Sequence, residues 1–194
     1  MALESTIVCL DTSSWMRNGD YAPTRIEAMR DAARMLVSTK LRLNPENTVG
    51  ILTFGGKSVN VLASPTTNQS KLLADVHGLS ASGTSHFLPA VKIAKLALKH
   101  RKNRHGGERI IMFVGSPVEA EAKTLKKLAK DLRRNNTSLD IILMGENDAN
   151  ADKLKGLIDA IDLDSSHLVT VPTGMLPYDA VMGSLLGGGG GGGG

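Results

Sequence analysis

The 194-residue chain has one cysteine, few aromatic residues and no long apolar run, and each shortage excludes a class of protein. The lone thiol, Cys9, lies inside an apolar segment, so we expect no disulfide framework and a reducing compartment. Only 3% of the residues are aromatic, which leaves few rings to stack on nucleic-acid bases. No apolar run approaches the roughly 18 residues of a membrane span. The N-terminus also lacks the basic region of a signal peptide.

The balance of charged and apolar residues is ordinary for a globular protein. The net charge is only +4, so charge alone does not indicate nucleic-acid binding. Apolar residues make up 41% of the chain and charged residues 22%. This composition and length predict one domain over residues 1–186, with a core that needs neither disulfide nor metal. Residues 187–194 are all glycine and are expected to form a flexible tail, because they bury no apolar surface.

Short apolar runs alternate with segments of helical periodicity along residues 1–186. The predicted strands are 7–10, 49–54, 59–62, 110–114, 139–144 and 168–171. The first predicted helix opens at Pro23, and the others cover 70–77, 88–100, 119–134, 153–161 and 178–186. The helix 119–134 has an acidic start and a basic end, which complement its dipole. Gly55 and Gly56 predict a tight hairpin between the second and third strands.

Repeated strand–helix units predict an α/β fold with a doubly wound, mostly parallel six-stranded sheet and helices on both faces. The segment 59–62 is expected to be an antiparallel edge strand. The binding crevice of such a sheet lies beyond the carboxyl ends of the strands. Asp11, Ser116 and Gly145 are predicted to share that rim, and any metal or ligand chemistry should be sought there.

Three patterns that suggest an enzyme lack the residues that their chemistry requires. Gly56, Lys57 and Ser58 copy the end of a phosphate-binding loop, but a strand follows them where a helix is needed. Asp11 has no second acid two residues later, which a phosphoryl-accepting aspartate requires as a proton donor. Cys9 lies within a strand, away from the helix N-terminus that activates thiols, and the five histidines lack metal-ligand spacing. We therefore predict no catalytic activity and no cofactor.

Oxygen ligands for a divalent cation are only partly present at the rim. Asp11 and Ser13 begin the pattern D-x-S-x-S, but Trp15 occupies the third position and its indole has no oxygen. This pattern resembles the metal-dependent adhesion motif of von Willebrand factor A domains. In that family an aspartate usually follows the fourth strand, where this chain has Ser116, and Thr84 stands for the family's threonine. The resemblance implies a vestigial site, with Asp11, Ser13 and Thr84 as the remaining candidates and no bound metal.

Two stretches are candidates for contact with a partner protein. A tryptophan beside an arginine at the rim is a typical interface anchor, although a buried tryptophan packing under the rim remains open. The basic run after the third predicted helix is expected to be a solvated loop that can meet an acidic protein surface, and it contains no aromatic residue for nucleic acid. The candidate residues are Trp15, Met16 and Arg17 at the rim and Lys99, Arg101, Lys102 and Arg104 in the loop.

Longer strings of residues extend the resemblance over nearly the whole of residues 1–186. The most specific are MRNGD at 16–20, FVGSPVE at 113–119 and SHLVTVP at 166–172. Together they resemble the N-terminal von Willebrand A domain of the non-ATPase ubiquitin-receptor subunits of the 26S proteasome regulatory particle. The lost metal ligands are also what that family shows.

The resemblance implies a docking domain in the cytoplasm and nucleus that helps hold the proteasome lid to the base. Its expected partners are lid and base subunits, with no nucleic acid and no membrane. The family captures polyubiquitin through separate helices further along the chain, whereas only glycine follows Leu186 here, so ubiquitin capture is expected to be weak or absent. The alternatives are a metal-dependent adhesion domain that binds a partner's carboxylate through Mg²⁺, and a phosphate-handling enzyme.

Overall fold

The structure, a computed structural model, describes residues 2–101 and 104–186. Lys102 and the glycine tail 187–194 lie outside the described residues, so the predictions for them, and the domain boundaries, stay predictions. The strands are β1 (Glu4–Leu10), β2 (Thr48–Thr53), β3 (Gly55–Gly56), β4 (Asn60–Thr66), β5 (Thr84–Ser85), β6 (Gly107–Val114), β7 (Thr137–Met144) and β8 (His167–Val171). The helices are α1 (Arg25–Leu43), α2 (Gln69–His77), α3 (Phe87–Lys99), α4 (Ala122–Arg134), α5 (Asp148–Ile161) and α6 (Pro177–Val181), with a 3-10 turn at Ser14–Arg17 and a π-helical turn at Met182–Leu186.

Six strands form one sheet in the order β4-β2-β1-β6-β7-β8. Every neighbouring pair is parallel except β2 and β4, which run antiparallel at one edge. One apolar core lies between the sheet and α1, α2 and α6, and a second lies between the sheet and α3, α4 and α5. The predicted doubly wound α/β sheet with one antiparallel edge strand is confirmed.

The central strand β1 shows why the strands of this chain have continuous apolar runs in the sequence. Val8 and Leu10 enter the core under α1, whereas Ile7 and Cys9 enter the core under α3. Because β1 pairs with β2 on one side and β6 on the other, neither its faces nor its edges meet solvent. A strand in this position needs apolar side chains at successive residues rather than at alternate ones.

The prediction of a tight hairpin at the two glycines is wrong. Thr53 of β2 pairs with Asn60 of β4, so a longer loop joins these strands. Within that loop, Gly55 and Gly56 form β3, which pairs antiparallel with β5. Gly55 packs so closely on the backbone of Thr12 that any side chain at this position would overlap it. The glycines therefore serve a close backbone approach at the rim and not a two-residue turn.

Three helices, α1, α4 and α5, begin two or more residues from their predicted starts. Thr24 caps α1, its hydroxyl accepting the Glu27 amide hydrogen at 3.3 Å, so Pro23 precedes the helix rather than opening it. The acidic residues expected at the start of α4 lie before the helix, and its first turn contains none. Asn147 caps α5, which therefore begins at Asp148, before the predicted start. None of the helices among residues 2–101 and 104–186 combines the length and apolarity that a bilayer crossing requires.

Candidate functional site: the carboxyl-end rim

The Asp11 carboxylate lies at the carboxyl end of β1 and is fully buried. Its Oδ1 accepts a hydrogen bond from the amide of Ser13 at 2.9 Å. Its Oδ2 accepts from the amide of Gly115 at 2.9 Å and from the Ser116 hydroxyl at 2.6 Å. The predicted meeting of Asp11 and Ser116 is confirmed. Three uncharged donors therefore already bind this carboxylate, two of them at Oδ2.

Arg25, at the start of α1, supplies positive charge at the same rim. Its Nη1 donates to the carbonyl of Gly115 at 2.6 Å, while its Nε and Nη2 donate to the two carboxylate oxygens of Asp20 at 2.8 and 2.7 Å. The hydrogen bonds from Arg25 lower the pKa of Asp20, and those to Asp20 raise the pKa of Arg25. Sequence reasoning missed Arg25. The only sign of it in the sequence is the acid five residues earlier, Asp20, and that acid lies in a loop where helical spacing rules do not apply.

Side chains of this chain fill the crevice that such sheets usually leave open at the rim. A side chain at Gly115 would overlap the Met16 sulfur, and one at Gly145 would begin 3.2 Å from the Arg25 guanidinium. Gly145 also has a φ of +95°, which favours glycine. The Tyr21 hydroxyl accepts from the Gly145 amide at 2.8 Å and donates to a carbonyl of β8 at 2.5 Å. The rim is therefore packed around Gly115 and Gly145, while a pocket of about 540 Å³ lies beside it, lined by Thr12, Gly55, Lys57 and Ser82 among others.

The residues that remain of the adhesion motif do not fit a divalent cation. Trp15 is 52% exposed and offers no oxygen, while the exposed Thr84 hydroxyl approaches a histidine ring and a backbone carbonyl at 3.5 Å. The Ser13 hydroxyl, at the second position of the motif, is buried without a hydrogen-bond partner. Asp11 is the one carboxylate among these positions, and the described residues contain no cluster of three acids, histidines or cysteines.

The other chemistries considered from the sequence find no support in the geometry. The loop at Gly56, Lys57 and Ser58 runs into strand β4, so no helix N-terminus faces it. Burial raises the pKa of the Cys9 thiol far above its ordinary value, which keeps the thiol protonated and unreactive.

The three rim candidates for partner contact differ in exposure. Trp15 and Arg17 both project into solvent, and Arg17 Nη2 donates to the carbonyl of Ala81 at 2.9 Å, which holds the side chain against a neighbouring loop. Met16, between them, is fully buried beneath Gly115. The expectation that Met16 contacts a partner is therefore corrected: this side chain supports the rim from within.

The basic loop after α3 is also only partly available. Lys99 and Arg104 are exposed. Arg101 is not, because its guanidinium forms an ion pair with Glu108 and donates to three carbonyls, among them that of Leu98 at 2.8 Å. The assignment of Arg101 to a partner surface is therefore corrected: it fastens the loop to the start of β6.

The chain matches the von Willebrand factor type A domain family over residues 6–118, and with this sheet and rim it is a von Willebrand A domain. It is 48% identical to the 26S proteasome non-ATPase regulatory subunit 4 homolog of Arabidopsis thaliana over 177 residues, which cover 90% of this chain and 46% of that protein. It is 44% identical to the 26S proteasome regulatory subunit rpn10 of Schizosaccharomyces pombe, over 89% of this chain and 71% of that protein. The chain belongs to this family of proteasome regulatory subunits.

A solved structure agrees with this assignment. The crystal structure of the SpRpn10 VWA domain superposes with a TM-score of 0.89 at 42% identity, covering 98% of this chain and 100% of that one. The first curated relatives are longer, because the matched regions cover 44%, 46% and 50% of them. The chain therefore spans about half the length of these relatives.

Proposed function

We propose that this domain is a non-catalytic docking subunit of the 26S proteasome regulatory particle. In ubiquitin-dependent protein degradation it would help hold the lid to the base. The relatives are regulatory subunits by name, and the S. pombe relative matches over most of its length. The observation that carries the proposal is the rim turn, where Met16 packs against Gly115 from within while Trp15 and Arg17 project outward beside it.

The contact proposed here is a protein–protein interface centred on Trp15. A half-exposed tryptophan next to an arginine on a rigid turn has the character of an interface hot spot. Met16 anchors this turn in the core, and the Asp11 hydrogen bonds fix the loop on which it stands. Lys99 and Arg104 form a second, basic part of the proposed contact. Both surfaces suit lid or base subunits, and neither contains the oxygen ligands that metal-dependent adhesion requires.

Capture of polyubiquitin is not part of the role proposed for these 194 residues. The described helices lie along the two faces of one sheet with their apolar sides buried in its cores. The proposed sites of action are the cytoplasm and the nucleus, where proteasomes work.

Crosslinking mass spectrometry of the tagged chain in purified proteasomes tests this proposal. We expect crosslinks from the rim to lid and base subunits, and we expect Trp15→Ala/Arg17→Glu to reduce their recovery about tenfold or more. The matched control is Leu43→Ala/Arg42→Glu, which alters an exposed apolar residue and an exposed cation at the far end of α1. Recovery of neither lid nor base with the unaltered chain would contradict the proposal.

A further inference from the structure

The outer face of α4 carries an unusual concentration of positive charge. Over its 13 residues the helix has six cations and a single acid, Asp131. All six cations are exposed. They are Lys123, Lys126, Lys127, Lys130, Arg133 and Arg134, and we call them the α4 cation row. Residues three and four apart lie on neighbouring parts of a helix surface, so the row runs along the whole helix.

Few of these charges are neutralised within the domain. Asp131 pairs with Lys95 of α3, and Arg133 lies 3.3 Å from Asp162 in a pair that is exposed on both sides. The other five cations of the row form no ion pair within residues 2–101 and 104–186. Lys95 itself adds little positive surface, because it is buried and paired with Asp131, and burial lowers its pKa, with Lys99 and Arg134 lowering it further.

An apolar groove of about 220 Å³ runs between α4 and α5 beside the cation row. Gly156 opens it, because a side chain there would meet no atom within 4 Å. The Nζ of Lys153 is held at one side by the carbonyl of Val118 at 2.6 Å. The groove is lined by Ala122, Leu125, Lys126, Asp152, Lys153 and Leu157, among others, so one exposed acid faces it beside two lysines. A slot for an aliphatic side chain therefore lies next to a row of cations of which only Arg133 is paired.

Two other classes of acidic partner fit this face poorly. A basic amphipathic helix binds a bilayer by inserting its apolar side, but the apolar side of α4 is buried in the core below it. Single-stranded nucleic acid binds by stacking its bases on aromatic side chains, and none lines this groove. An amphipathic helix with carboxylates beside its apolar stripe matches both features, because it fills the slot and pairs with the row.

We propose that the α4–α5 face binds an acidic amphipathic helix of a partner protein, with a leucine-sized side chain in the groove beside Gly156 and carboxylates along the α4 cation row. This face is distinct from the rim, and the inference does not depend on the docking proposed there. Charge complementarity sets the orientation of the bound helix, and the groove sets its register.

The probe is a synthetic, fluorescein-labelled helical peptide that carries leucines on one stripe and glutamates beside it. Binding to the 194-residue chain is measured by anisotropy at physiological salt, and the site is mapped from amide shifts in nitrogen-15 NMR spectra. We expect the shifts to cluster on α4 and α5. Lys126→Glu/Lys130→Glu should weaken binding about tenfold or more, and the matched control Arg34→Glu/Arg42→Glu on exposed positions of α1 should change it less than about twofold.

Changes to the groove and to the peptide distinguish the contribution of the groove to binding from that of the charges. Gly156→Leu fills the slot without removing a cation and should weaken binding by about tenfold. A peptide with its leucines replaced by alanine should bind equally weakly, and one with its glutamates replaced by glutamine should lose its salt dependence. Unchanged affinity of the alanine peptide, no binding of the parent peptide, or tighter binding of single-stranded DNA or phosphatidylserine vesicles would each overturn the inference. Circular dichroism of every variant confirms that it is folded.

Discussion

The two ends of the sheet both bury carboxylates, but they satisfy them differently. At the carboxyl end, Asp11 accepts three hydrogen bonds from uncharged donors. At the amino end, Arg109 joins two acids, donating from Nε to Glu4 at 3.0 Å and from Nη1 to Asp140 at 2.6 Å. Lys40 pairs with Glu4 at 2.8 Å, so α1 is tied to the strands through the same carboxylate.

The hydrogen bonds to Asp11 depend on the positions of the donors, whereas the amino-end network depends on the charges of its members. The neutral donors around Asp11 depend on the loops after β1 and β6 keeping their shape, because each donor is a backbone amide or a short hydroxyl. The amino-end network depends on the ionisation of its members and links three strands with one helix. Uncharged donors hold Asp11 at the carboxyl end, where the one ion pair described is Arg25 with Asp20, and a larger ionic network lies at the opposite end.

The largest effect is expected from removal of the cation at the centre of the amino-end network. Arg109→Met leaves Asp140, whose side chain is 2% exposed, and Glu4 without their shared partner. We expect the free energy of unfolding in urea to fall by about 3–5 kcal/mol. Arg34→Met, at an exposed position of α1, is the control and should change it by less than about 0.5 kcal/mol. Equal effects of the two substitutions would show that the amino-end ion pairs do not stabilise the fold.

A smaller loss is expected at the carboxyl end. Asp11→Ala leaves the buried amides of Ser13 and Gly115 without an acceptor, which should lower the free energy of unfolding by about 1–3 kcal/mol. Asp11→Asn keeps one carbonyl oxygen and should lose less. The same urea titrations measure both, with Asp31→Ala as a control on the exposed side of α1. Equal losses with asparagine and alanine would show that the charge, rather than the remaining hydrogen-bond acceptor, matters at this end.

The pH dependence should separate the two ends further. Burial alone would raise the pKa of Glu4, but Lys40 and Arg109 together bring it below the ordinary value of 4.5. Its contribution to stability is therefore complete above that value and lost as the pH falls through the lowered pKa. Glu4→Gln should reduce the slope of the free energy of unfolding against pH in this acidic range. The reduction should be no more than about 1.4 kcal/mol per pH unit, the value for one bound proton. Urea titrations at a series of acidic pH values measure this slope, and an unchanged slope would contradict the prediction.

The smallest effect is expected from divalent cations. Because Asp11 already accepts three hydrogen bonds and Trp15 stands at a ligand position, millimolar Mg²⁺ or Mn²⁺ should leave the thermal unfolding midpoint unchanged within error. Calorimetric titration gives an independent measurement. Micromolar binding would restore the metal-dependent adhesion alternative and would mean that the rim rearranges around the ion.

The regular part of the fold could be predicted from the sequence, because buried parallel strands and amphipathic helices leave local patterns. The edge strand and the meeting of Asp11 and Ser116 followed from those patterns and from the rule for the carboxyl ends of strands. Helix starts were predicted less well, since a capping threonine or asparagine competes with nearby proline and acidic residues for the same role.

The polar contacts between distant segments could not be predicted. Arg109 and Glu4 are 105 positions apart, and no local pattern marks the pair. Arg25 likewise reaches the carbonyl of Gly115, 90 positions away. Burial of Met16 between two exposed neighbours depends on a single short turn, which periodicity does not resolve. Such contacts arise from the folded topology, and only the structure brings the partners together.

Strand β1 gives the chain a built-in chemical reporter. Its Cys9 thiol faces the core beneath α3, at the centre of the sheet, and is the one sulfhydryl in the sequence. Because the thiol is fully buried, a disulfide reagent in solution reacts only with molecules in which α3 has separated from the sheet or the whole domain has opened. The rate of thiol labelling under native conditions therefore reports openings that reach the centre of the sheet, without denaturant and without an added dye.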